Sequence, residues 1–97
     1  MSVNRECGLL YGVPITSSEV YYLYKNYPDV FKKYTIFGLK NFYFGEIFKT
    51  IKEGEAMEYE HPSVKLSVEV FKAFKSIFNL DDFPNIQFKT YFYFKVD

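Results

Sequence analysis

The chain has 97 residues, with 12 Lys+Arg balanced by 12 Asp+Glu, so it carries no net charge at pH 7. That length suits one domain with one modest core, and the balance leaves no global basic footprint of the kind that phosphate-backbone binding usually produces. With 12 Phe, 10 Tyr and no Trp, ring packing is the expected source of stability, and so many tyrosine hydroxyls cannot all be interior in so small a fold.

Cys7-Gly8-Leu9-Leu10-Tyr11-Gly12-Val13 is apolar nearly throughout, which predicts a central strand covered on both faces. Its glycines mark a bulge or a close backbone approach. Thr16-Ser17-Ser18-Glu19 is a capping box, with Ile15 and Val20 placed for a hydrophobic staple. The helix it opens spaces Val20, Leu23, Tyr24 and Tyr27 as an apolar stripe and ends near Asn26, before Pro28. A short turn of helix is expected over Asp29–Tyr34 and a short strand over Thr35–Phe37, ended by Gly38. Asn41–Ile51 reads as a long strand, broken or bulged at Gly45. Met57, Tyr59 and His61 alternate with Glu58 and Glu60, predicting a hairpin partner for it across the turn at Lys52–Glu55. Val64, Leu66, Val68 and Val70 alternate like a strand, yet Ser67 followed by Glu69 suggests a helix start, and helix is expected from about Ser67 to Asn79.

The last run, Gln87–Val96, divides into two faces. Ile86, Phe88, Phe92, Phe94 and Val96 are expected as the core wall, with Gln87, Lys89, Tyr91, Tyr93 and Lys95 on the other side. Together these elements predict one α+β domain over residues 1–97. Its mostly antiparallel sheet would carry two helices on one face, in the order β-α-β-β-β-α-β.

Chemistry-bearing residues are few. The lone Cys7 excludes an internal disulfide and a cysteine-based zinc site, and points to a reducing, intracellular compartment. No signal peptide is visible before Cys7, and no apolar run approaches the length of a membrane span. Cys7 and His61 are the only conceivable nucleophile–base pair, and nothing in the sequence places them together. Glu58 and Glu60 share one strand face while His61 points away, which counts against a joint metal site. The reading is a non-enzyme with no cofactor and no small-molecule substrate.

Two resemblances bear on function. The element order comes close to a ferredoxin-like or RNA-recognition domain. Lys40-Asn41-Phe42-Tyr43-Phe44-Gly45-Glu46-Ile47 resembles the longer RNA-binding motif only at Lys40, Phe42 and Phe44, and Leu10-Tyr11 weakly resembles the shorter one. Separately, Gly8–Thr16 and the Tyr/Phe/Lys-rich text through Phe48 resemble small uncharacterised proteins of large nucleocytoplasmic DNA viruses. That likeness covers about half the chain; it implies a virion or host-cell setting and names no activity.

The leading expectation is a small protein-interaction module that self-associates through tyrosine-rich strand surfaces. Tyr43, Tyr59, Tyr91 and Tyr93 are the expected contacts. Locally segregated charge supports it: Glu53, Glu55, Glu58 and Glu60 form an acidic block, whereas Lys25, Lys32, Lys33 and Lys40 make the first half basic. The alternative is single-stranded nucleic-acid binding, with Tyr91 and Tyr93 stacking bases and Lys89 and Lys95 touching phosphates.

Overall fold

The computed structural model describes residues 5–52, 54–56 and 58–96, the last by its backbone. Strand β1 spans Arg5–Ile15, followed by helices α1 (Ser17–Asn26) and α2 (Pro28–Tyr34), then strands β2 (Thr35–Phe37) and β3 (Phe42–Ile51). Helix α3 (Val64–Ile77), a single 3-10 turn at Leu80–Asp82, and strand β4 (Lys89–Val96) complete the order.

Local signals explain most boundaries. The Glu19 amide donates to Thr16 Oγ1 at 3.3 Å and the Glu19 carboxylate receives the Thr16 amide at 3.5 Å, so the capping box closes. Ile15 and Val20 both join the main core, as a staple requires. Pro28 ends α1 and opens α2 at once, because a first-turn proline has no amide to waste. Thr16→Ala is expected to cost about 0.5–2 kcal/mol. Ser17→Ala should cost much less, since Ser17 is the exposed first residue of α1. Urea midpoints of the two variants check this, and equal losses would contradict it.

Helix α3 starts one turn earlier than expected. Ser63 is its cap, with Oγ accepting from the Leu66 amide at 3.1 Å. The Ser67 hydroxyl instead donates back to the Val64 carbonyl at 2.9 Å, inside the first turn. Asn79 lies beyond α3 and caps the 3-10 turn, accepting from the Asp81 amide at 3.0 Å.

The expected partner strand across Lys52–Glu55 does not form. Glu58, Tyr59, Glu60 and His61 are exposed and belong to no strand; Met57, and Glu53 of the acidic block, lie outside the described residues. The side of β3 assigned to that partner is taken by β1, which offers a longer and far more apolar ladder. The described residues therefore form a four-stranded antiparallel sheet in the order β2-β3-β1-β4, with three α-helices instead of two.

Cross-strand partners share a face, so the register sorts the core. Val13 lies opposite Phe44 and Ile15 opposite Phe42. This helix-side face meets Leu23 of α1, Tyr34 of α2, and Val70 and Phe74 of α3 in one buried cluster. The other face carries Leu10, Ile36, Tyr43 and Tyr93 as a second buried cluster, with Ile47 and Tyr91 packed against it.

Among the described residues, only strand side chains form and flank that second core. It is enclosed because the sheet curls. Gly12 of β1 faces Gly45 of β3, and a Cβ on Gly12 would lie 2.7 Å from the Gly45 Cα, so only glycine permits the two backbones to cross this closely. The expected bulge at Gly45 is displaced to Phe48, the extra residue between Lys49, opposite Leu9, and Ile47, opposite Leu10. The tip of the β2–β3 hairpin then folds across the concave face, where the Leu39 amide donates to the Phe94 carbonyl of β4 at 2.7 Å.

Candidate interaction surface

The curl reverses the expected faces of β4. Tyr93 is only 1% exposed, whereas Phe92 is 50% exposed and Phe94 is also exposed. Tyr93 lies opposite Gly8, whose missing side chain admits the ring: a Cβ there would sit 3.0 Å from Tyr93 Cε1. Aromatic cover of a strand glycine is a known way to fill such a gap. Tyr43 is buried beside Ile36, and its ring meets that of Tyr91 at 5.4 Å. The half-buried Tyr91 also donates its hydroxyl to the Gln87 carbonyl at 3.2 Å.

Three of the four expected contact tyrosines therefore assemble as an internal core instead of a surface. Only Tyr59 is open, 62% exposed, with the His61 ring edge-on at 4.9 Å. The stacking platform proposed for nucleic acid loses Tyr93 for the same reason: a ring closed off inside the curl cannot receive a base. Lys95 pairs with Glu6 at 2.9 Å across the β1–β4 ladder, and Lys89 lies 5.2 Å over the Tyr91 ring. Ile86 and Phe88 do pack on the helix-side core as expected, while Val96's side chain lies outside the described residues.

Other rings take the surface role. Tyr24, expected inward, is 60% exposed on α1, because three helices crowd one sheet face and only Leu23 of this stripe reaches full burial. Tyr24 meets Phe31 edge-on at 5.4 Å, Phe31 meets Phe37 at 6.0 Å, and the chain then turns at Gly38 into Leu39, 62% exposed. Leu39, Phe92 and Phe94 line one shallow depression beside the hairpin tip. The result is an apolar belt running from α1 over α2 and β2 to the outer strand β4. Isolated exposed apolar residues are ordinary, but connected ones mark contact sites. Lys25, Lys32, Lys33 and Lys40 are exposed on the same elements and the hairpin tip.

The sequence signal that separates the enclosed face from the exposed one is the parity of Gly8, Gly12 and Gly45. All three fall on the concave face with Tyr43 and Tyr93, but seeing this requires the strand register.

The described residues offer little for chemistry. Cys7 Sγ donates to the Ile51 carbonyl at 3.7 Å, while His61 packs on Tyr59. No three metal-ligating side chains come together among the described residues. A cleft of about 410 Å³ beside β2 is lined by Thr35, Ile36, Leu39, Ile47 and Lys95 with backbone from Gly38, and holds no carboxylate, thiol or imidazole. Among the described residues no helix is long and apolar enough to cross a membrane. No family model, curated protein or solved structure matches the chain.

Proposed function

We propose that the protein is a non-catalytic interaction module that self-associates through the exposed apolar belt of Tyr24, Phe37, Leu39, Phe92 and Phe94. The observation that carries this reading is the connected exposure of those side chains on a neutral chain whose charge is segregated. Burying such rings against a second copy removes them from water at about 25 cal/mol per Å² of apolar surface. The lysines around the belt and the acid-rich text after β3 are the complementary halves of a two-fold contact, since in such an interface each patch meets the other twice. The viral resemblance of the N-terminal half belongs to the same proposal and implies a virion or host-cell setting for the assembly.

Sedimentation across about 1–500 μM tests the reading, a range that brackets dimers of micromolar dissociation constant. The expected result is a reversible monomer–dimer equilibrium that Leu39→Ser shifts toward monomer with no loss of helix signal. A monomer at every concentration would overturn it.

A further inference from the structure

We infer that the segment Glu58-Tyr59-Glu60 of one copy adds as a strand to the outer edge of β4 in a second copy, reciprocally across a two-fold axis. The inference rests on the self-association reading above and names its mode.

Consider first the acceptor. The Phe94 carbonyl receives the Leu39 amide, so the backbone polar groups of Phe94 point away from β1. Polar groups alternate along a strand, so the amides and carbonyls of Thr90 and Phe92 point outward too. Strand β4 is the sheet's outer strand, and among the described residues its ladder runs only to β1. Phe92 stands exposed beside this edge. Such an edge is a template for an incoming strand unless it is blocked, and the hairpin tip blocks it only near Phe94.

The donor is the segment whose pattern and structure disagree. Tyr59 and His61 alternate with Glu58 and Glu60 as in a strand, yet these residues are exposed and form no ladder among the described residues. The charges match the acceptor. The lysines of β4, Lys89 and Lys95, both lie on its concave side, and β4 carries no acid up to Val96. In the register that sets Glu58 and Glu60 on the side of Lys89, the one the charges favour, Tyr59 falls on the side of Phe92, because both strands alternate with period two. Main-chain pairing supplies affinity in such additions and the alternate side chains supply choice of partner. Glu60 exchanges its 2.7 Å contact with Lys49, an exposed pair that holds it weakly in the monomer.

Two measurements decide the matter. In hydrogen exchange on the full chain, the Thr90 and Phe92 amides should become protected as concentration rises through the dimer transition. In sedimentation, Lys89→Glu and the double variant Glu58→Lys/Glu60→Lys should each weaken the dimer by on the order of tenfold or more, since reversal sets like charges together. Mixing the two reversed proteins should restore association, because both joints of the mixed dimer again pair opposite charges. A wild-type dimer whose Thr90 and Phe92 amides stay unprotected, or whose strength ignores both reversals, overturns the strand addition and leaves self-association standing. Weakened variants that fail to rescue each other also overturn it. A wild-type protein that stays monomeric removes the reading beneath it as well.

Discussion

Phe74→Ala is expected to lower stability by about 3–5 kcal/mol, the range for deleting a fully buried ring. Phe74 is completely buried and its ring meets those of Phe44, Phe78, Phe83 and Phe88 at 4.8–5.5 Å. It joins β3, α3 and the connection into β4, and Tyr34 of α2 stacks on the far side of Phe44 at 5.2 Å. Small domains have only about 5–15 kcal/mol in total, so the urea midpoint should fall by a large fraction. Phe71 provides the control. It is half-buried on the same helix and meets Phe88 alone among the rings, with Lys75 over it at 5.6 Å. Phe71→Ala should cost less than half as much. Equal losses would mean that the ring cluster does not centre on Phe74.

The second large effect separates a ring from its hydroxyl. Tyr93→Ala should cost about 3–5 kcal/mol, because the side chain fills the concave core over Gly8. Tyr93→Phe should be neutral or stabilising by up to about 1–3 kcal/mol, the usual penalty of a buried polar group without a partner. The Tyr93 hydroxyl is buried in that condition. Thr50 and Glu6 lie near enough to bias its ionisation in opposite senses, yet neither closes a hydrogen bond with it.

Burial pushes the Tyr93 phenol above its ordinary pKa, and burial also raises Tyr91, with Tyr43 adding to the effect. The folded state therefore holds these protons more tightly than the unfolded chain does. Their contribution is complete below the ordinary tyrosine value near 10 and is lost as pH rises through it toward the folded values. Urea unfolding should show stability falling above about pH 10, and less steeply in the Tyr91→Phe/Tyr93→Phe protein. Stability that rises in that range, or a Tyr93→Phe protein as damaged as Tyr93→Ala, would contradict the enclosed concave core.

The candidate surface was only partly legible before the fold was known. Tyr59 is exposed, as an expected contact residue must be, although the hairpin strand expected to carry it does not form. None of the five belt residues, Tyr24, Phe37, Leu39, Phe92 and Phe94, is among the contacts expected from the sequence. A phenylalanine reads as more apolar than a tyrosine, so alternation in β4 favoured Phe inward. That preference amounts to one hydroxyl per residue, and the geometry of the sheet outweighs it.

What the sequence by itself determined were the features written within a few residues: the Thr16–Glu19 box, the stop at Pro28, strand β2 before Gly38, and the apolar central strand β1. Each depends on contacts made inside one or two turns or on the uniform composition of one segment. Tertiary structure alone decided that β1 replaces the acidic segment beside β3, and that Gly12 and Gly45 let the sheet curl. The same curl brings the hairpin tip to Phe94 and encloses Tyr43 and Tyr93. The physical reason is that a strand displays two faces of similar polarity here, and which one meets water depends on the side toward which the sheet bends. That bend is set by backbone approaches between residues more than thirty positions apart, such as Gly12 and Gly45, which no local pattern records.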